Sequence, residues 1–122
     1  MTREESFTFK VLVKMEDRLW VAHCLELDIV ATADTRDQVE KDIVDLIAAQ
    51  VCYALDHDNL EYLYRSAPPD VWNEFLECKE CRESRHLVTV ASEGGTLSGE
   101  IRPLIITNTC LPESAYHAQG PS

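Results

Sequence analysis

Four acidic side chains in the first third of the chain are the first candidates for chemistry, because they flank short β-rich segments. They are Asp17, Glu26, Asp28 and Asp34. Carboxylates that converge on a pair of Mg²⁺ ions support phosphodiester hydrolysis in two-metal nucleases. Nothing in the spacing brings the four to one point, and acidic residues are routinely solvated at strand ends. We therefore assign no catalytic residues and keep a small metal-dependent nuclease as an alternative.

A second candidate is a zinc site in the last third of the chain. Cys78 and Cys81 have the C-x2-C spacing, and His86 follows five residues later. Thiolate and imidazole groups are the usual ligands of tetrahedral Zn²⁺. A matching second pair is missing, and Cys110 is the only later cysteine. The alternative to a zinc site is that these cysteines bind no metal.

A cysteine–histidine nucleophile is not expected. His23 and Cys24 are neighbours on a predicted strand, so their side chains point to opposite faces. The chain also lacks a glycine-rich phosphate loop and a G-x-S-x-G motif. The five cysteines are an odd number, and the N-terminus does not resemble a secretory signal, so we expect free thiols in a reducing compartment.

Negative charge is the strongest compositional signal. The chain has 22 acidic and 11 basic residues, a formal net charge of -11. Such a surface repels nucleic-acid phosphates and favours a basic protein partner, although acidity can also serve solubility alone. The acidic residues near the start of the predicted long helix are the expected partner-binding residues: Asp37, Glu40, Asp42 and Asp45.

The elements that position these residues begin with three predicted strands. Residues 7–15 alternate between apolar and polar side chains, as a half-buried strand does. A short turn leads to a second strand over 19–25, and a third follows over 28–34. The connections are too short for a parallel crossover, so the three strands should form an antiparallel meander.

A long amphipathic helix is predicted over residues 35–56. Thr35 is a favourable N-cap, and Gln38 completes the capping-box pattern. Apolar side chains recur at helical spacing: Val39, Ile43, Leu46, Ile47, Val51, Ala54 and Leu55. The helix should cover one face of the sheet, because neither element can bury its apolar side alone.

The rest of the chain predicts shorter elements. Leu60, Leu63 and Tyr64 suggest further helical turns before the two prolines at 68 and 69. Asp70 could then cap a short helix with an apolar face of Val71, Trp72, Phe75 and Leu76. Residues 87–91 and 101–107 are β-rich runs separated by a turn-rich segment.

The order strand, strand, strand, long helix accompanies a short sequence likeness. The tract Trp20–Leu27, followed by Ala33–Val39, resembles the HicB antitoxin family, which typically has "YVAYCPELPG" and then "GDTLEEA". The matching residues are Val21-Ala22, Cys24, Glu26-Leu27 and Asp34-Thr35. The resemblance covers about residues 7–56.

This resemblance implies a truncated ribonuclease H-like fold without nuclease activity. Members of the family usually neutralise a small basic ribonuclease toxin, HicA, and many are dimers or tetramers. This chain departs from the pattern at Leu25, where proline is common, and at Asp28-Ile29-Val30, which replaces the usual turn. Its last third also predicts strands where many members carry a DNA-binding helix motif, so direct DNA binding is not expected.

We therefore predict an α+β protein in which one long helix packs on an antiparallel sheet of three to five strands. Residues 1–77 would form a HicB-like core domain with a short C-terminal helix, and residues 78–122 a β-rich extension packed on it. The expected function is that of a non-catalytic antitoxin or antitoxin-derived interaction protein. We expect a homo-oligomer in the cytoplasm, without cofactor or membrane span, and an orphan structural domain without a toxin is the alternative.

Overall fold

The chain adopts an α+β arrangement of seven strands and two helices within the part that the structure describes. The computed structural model describes residues 7–57, 63–86, 88–91, 98–101 and 103–110. In chain order the elements are β1 (Thr8–Glu16), β2 (Leu19–Cys24), β3 (Ile29–Ala33), α1 (Arg36–Asp56), α2 (Pro69–Glu77), β4 (Glu80–Arg85), β5 (Val88–Ala91), β6 (Ser98–Ile101) and β7 (Leu104–Cys110). Neither described helix is both long and apolar enough to cross a membrane.

Five of these strands form one mixed sheet. Their order is β3-β2-β1-β7-β4, and β5 and β6 form a separate antiparallel pair. The α+β class and the β1-β2-β3 meander are confirmed, but the expectation of an antiparallel sheet is wrong at one ladder. β1 and β7 are parallel, with Thr8 opposite Leu104 and Lys14 opposite Cys110. Parallel pairing is accessible here because the connection between the two strands is long and contains both helices.

The β1–β2 connection is a two-residue turn at Asp17 and Arg18. Glu16 pairs with Leu19, and the φ angles of Asp17 and Arg18 are 51° and 67°. Positive φ at both central residues is typical of the type I′ turn, whose twist matches that of the two strands it joins. The turn fixes which face of the sheet each residue of β1 and β2 occupies.

Helix α1 matches the predicted range and the predicted N-cap. The Thr35 hydroxyl accepts a hydrogen bond from the Gln38 amide at 3.1 Å. The predicted capping box is not complete, because the Gln38 side chain donates to Asp42 Oδ1 at 2.7 Å instead. His57 ends the helix, as the sequence predicts.

The main core lies between α1 and one face of the sheet. Phe9, Val11 and Val13 of β1 point into it and are fully buried. From α1 the same core receives Val39, Ile43, Ile47, Val51, Ala54 and Leu55. Leu46, which the periodicity also assigned to this face, is 40% exposed and lies at the margin of the helix contact. Its position matters for the groove described below.

Helix α2 covers part of the opposite sheet face. Phe75 packs there against Leu12 and Leu25 in a second, smaller cluster. The N-cap is Pro68 and not Asp70, which lies in the first turn. Leu76 was predicted on the apolar face but is 74% exposed.

The segment before α2 is extended and not helical. Arg65 and Ala67 donate backbone hydrogen bonds to the carbonyls of Glu26 and Leu25, at 2.9 and 2.8 Å. Leu63 lies in a turn and Tyr64 is not helical. Leu60, the third residue of the predicted helical turns, lies outside the described residues.

The last third of the chain contributes strands to the main sheet. β7 lies between β1 and β4, and β5 pairs with β6. The predicted strands at 87–91 and 101–107 correspond to β5 and to β6 with part of β7, although residues 87 and 102 lie outside the described residues. β4 was not predicted, because its sequence Glu-Cys-Arg-Glu-Ser-Arg is almost wholly polar and shows no alternation.

Candidate functional site

An open groove runs between strand β3 and one flank of helix α1. It has a volume of about 410 Å³ and is lined by Ala31, Thr32, Asp42, Asp45 and Leu46. The three helical residues lie together because positions three and four apart share one flank of a helix. We call this feature the β3 groove.

The two carboxylates of the β3 groove lack a cationic partner in the described part of the chain. Asp42 accepts the hydrogen bond from the Gln38 amide nitrogen at 2.7 Å. No lysine, arginine or histidine among the described residues forms an ion pair with Asp42 or Asp45. Their charge is therefore available to a basic group from another molecule.

Glu40 occupies the other flank of α1, where it pairs with basic side chains of the same chain. Arg82 of β4 donates to its Oε2 at 2.5 Å, and Arg36 Nε lies 3.6 Å from its Oε1. Arg36 also donates to Glu80 at 2.8 Å and to the buried Thr109 hydroxyl at 3.0 Å. These contacts fasten α1 to the β4 side of the sheet, so Glu40 is already engaged.

The predicted partner-binding residues are thus divided by the fold. Asp42 and Asp45 share the β3 groove, whereas Glu40 lies on the opposite flank. Asp37 is exposed in the first turn of α1, where a negative charge interacts favourably with the helix dipole. The sequence predicts the acidic character of the helix, but not which of its residues face a groove.

Strand β3 forms one edge of the main sheet. Among the described strands it is paired on one side only, with β2. Its sequence Ile-Val-Ala-Thr-Ala contains no charge and no proline, and Val30 is 49% exposed. Natural edge strands usually carry charges or prolines that prevent pairing with another chain. The other edge, β4, does carry such charges: Glu80, Arg82, Glu83 and Arg85.

The carboxylates considered for a nuclease site make separate contacts. Glu26 accepts from the Lys10 backbone amide at 2.7 Å and from Lys10 Nζ at 3.2 Å. Asp28 lies 2.7 Å from His23 Nε2, and Asp17 lies in the β1–β2 turn. In the described ranges no group of three or more His, Cys, Asp or Glu side chains could hold a metal ion.

The cysteines depart from the expectation of five free thiols. Cys78 and Cys110 form a disulfide that joins the end of α2 to the end of β7. Cys78 is therefore not available as a zinc ligand in this structure. Cys81 is an exposed free thiol on β4, and the His86 ring lies 2.8 Å from the Ser84 hydroxyl. The three residues of the candidate zinc site thus have different surroundings.

The free thiols differ strongly in their environment. Burial raises the pKa of the Cys24 thiol from 9.0 to about 12, partly offset by hydrogen bonds from the backbone of Leu27 and Glu26. Burial also raises the pKa of the Cys52 thiol. Because the thiolate is the reactive form, Cys24 should be inert.

We expect thiol-reactive reagents to label Cys81 at least about a hundredfold faster than Cys24 in the native protein at pH 8, because a higher pKa and burial both suppress the thiolate. Mass spectrometry of peptides after timed labelling with iodoacetamide measures this ratio. Equal labelling rates would contradict the burial of Cys24.

The same burial makes the stability depend on pH. The Cys24 thiol has a pKa of 9.0 in the unfolded chain and about 12 in the native protein, so its contribution to stability is complete below pH 9 and is lost as the pH rises towards 12.

The features that sequence reasoning missed all depend on distant residues. The Arg36–Glu80 and Arg82–Glu40 pairs join α1 to β4 across more than forty positions of the chain. The alternating charge signs of β4 were a visible signal of a protected edge strand, but the pattern lacks the apolar face that marks most strands.

Comparison with known proteins adds no relative. The chain matches no family model, and no curated protein and no solved structure is significantly similar to it.

Proposed function

We propose that the protein is a non-catalytic, HicB-like antitoxin or antitoxin-derived interaction protein, which neutralises a small basic ribonuclease by binding it. The observation that carries the proposal is the β3 groove, in which Asp42 and Asp45 lie beside an uncharged strand edge without a described cationic partner. The HicB-like, partial ribonuclease H-like assignment is supported by the order of the meander and α1 over residues 7–56.

The proposed mechanism is electrostatic capture followed by steric occlusion. A net charge of -11 attracts a basic protein over a long range and speeds the encounter. The β3 groove then provides both a negative and an apolar contact, because Leu46 is exposed next to the two aspartates. A toxin held there would lose access to RNA without any chemical step by this protein.

The proposal includes a cytoplasmic location and a homo-oligomeric state. A ribonuclease that acts on cellular RNA must be neutralised in the cytoplasm, and oligomerisation through another surface would leave the groove accessible. The second candidate function is an orphan structural domain, and the uncharged edge of β3 argues against it, because a domain without a partner gains nothing from an unprotected strand edge.

The test is a growth assay with the protein encoded by the adjacent reading frame. If that frame encodes a small basic ribonuclease, its expression should arrest growth, and co-expression of this chain should restore growth. The double variant D42N/D45N should weaken binding of the purified toxin about tenfold, since two charge pairs are lost. The matched control is E77Q/E83Q, which removes two exposed carboxylates elsewhere and should bind like the wild type. A neighbour that is not toxic, or is not rescued, would favour the orphan domain.

A further inference from the structure

We propose that β3 accepts an extended segment of a basic partner protein as an additional strand, with lysine or arginine at every second position of that segment. The proposal rests on the proposed function for the identity of the partner, but it concerns the mode of binding. It joins two independent features of the structure: the backbone edge of β3 with which no described strand pairs, and the charge of the β3 groove.

The backbone of β3 is paired with only one neighbouring strand among those that the structure describes. Each of its residues from Ile29 to Ala33 is matched to a residue of β2, and no described strand lies on its other side. An edge strand presents a row of N–H and C=O groups that are directed away from its single neighbour. These groups are satisfied best by another extended backbone, which is the basis of strand addition in peptide recognition.

On the face of β3 that lies under α1, basic side chains of the added strand would fit best. Side chains of an added strand that point to this face would enter the β3 groove. There they meet Asp42, Asp45 and the exposed side of Leu46. Lysine and arginine fit this combination, because their aliphatic stems cover an apolar side chain while the charged end reaches a carboxylate.

On the opposite face, the side chains that alternate with the basic ones would lie against exposed residues of β3. Ala31 is buried, so by strand alternation Val30 and Thr32 lie on the other face of β3, where both are exposed, although Thr32 also lines the edge of the β3 groove. Side chains directly opposite each other on neighbouring strands pack together, and β-branched pairs are favourable. Valine, isoleucine or threonine is therefore expected at the alternate positions of the added strand.

A second copy of this chain is a poor occupant of the same edge. Antiparallel pairing of two β3 strands about a two-fold axis would place both α1 helices on the same side of the extended sheet. The aspartates of the two β3 grooves would then approach each other without an intervening cation. Each chain also has a net charge of -11, so the repulsion is general as well as local. Charge complementarity thus favours a basic segment.

The experiment uses the full-length protein and a synthetic peptide of alternating lysine and valine, Lys-Val-Lys-Val-Lys-Val-Lys, with blocked termini. Titration calorimetry gives the affinity, and amide hydrogen exchange shows which amides become protected. The proposal expects protection in β3 and a roughly tenfold loss of affinity in D42N/D45N but not in E77Q/E83Q. The same peptide with N-methyl groups on all of its amides should bind at least tenfold more weakly, because it keeps its charge but has no N–H group on either edge to pair with a strand.

The outcomes separate this proposal from the proposed function. Protection at β4 or α2, or equal affinity for the N-methylated peptide, would overturn strand addition. If the neighbouring toxin is neutralised while β3 amides stay unprotected in its complex, the antitoxin role stands and the proposed binding mode fails. Protection of β3 in the free protein that increases with its concentration would assign the edge to a second copy and would also overturn the proposal. Peptide binding at β3 without any neighbouring toxin would support strand addition and remove the antitoxin role.

Discussion

Phe9→Ala should lower the free energy of unfolding by about 3–5 kcal/mol, the usual cost of removing a buried phenylalanine side chain. Phe9 lies on β1, between β2 and β7, and its side chain is fully buried in the core beneath α1. Its ring centroid lies 6.0 Å from that of Phe7 and 6.5 Å from that of Tyr64. Truncation therefore leaves a cavity that neighbouring elements can close only in part. A loss of this size is a large fraction of the total stability of most domains.

Urea denaturation followed by circular dichroism measures the change. Leu76→Ala is the matched control, because it also truncates a large apolar side chain but one that is 74% exposed. It should change the stability by no more than about 0.5 kcal/mol, as most surface substitutions do. Equal effects of the two substitutions would contradict the position of β1 in the centre of the sheet.

Much of this core is visible in the sequence, because it depends on local periodicity. Alternation over residues 7–15 and the three- and four-residue spacing in α1 identify ten of the sixteen buried side chains in this core. The short connections also identify the meander. The parallel partner of β1 is not visible, since alternation shows that β7 is a strand but does not name its neighbour. β4 fails the same analysis because it is an edge strand with charges on both faces.

The candidate site is less predictable for a related reason. The acidic surface of α1 is evident from composition. Helical positions alone do not show that β4 supplies Arg82 to Glu40, or that Asp42 and Asp45 have no such partner among the described residues. That difference arises from the order of strands in the sheet, which places a charged edge beside one flank of α1 and an uncharged edge beside the other. Leu46 illustrates the same effect, since its spacing predicts burial and its position at the edge exposes it.

Loss of the Cys78–Cys110 disulfide should lower the stability by about 2–4 kcal/mol, because the bond restricts the unfolded chain between two residues that are 32 positions apart. In the native state the same region is held by further contacts. Lys14 Nζ lies 2.8 Å from Glu74, and Asn108 donates to the Phe75 carbonyl at 2.9 Å. The reduced protein should therefore remain folded but unfold at a lower urea concentration.

The test compares the oxidised wild type and its Cys81→Ser control with two samples that lack the bond, the wild type in dithiothreitol and the double variant C78S/C110S. The last two should show similar reduced stability, and Cys81→Ser should match the oxidised wild type because Cys81 is an exposed free thiol. Alkylation of both Cys78 and Cys110 without prior reduction would contradict the pairing.

The cytoplasm of most organisms keeps thiols reduced, so the proposed cytoplasmic role implies that the protein works without the stability that the disulfide adds. The contacts of α2 with β1 and β7 must then hold the helix on the sheet, and substitution of Lys14 should destabilise the reduced protein more than the oxidised one.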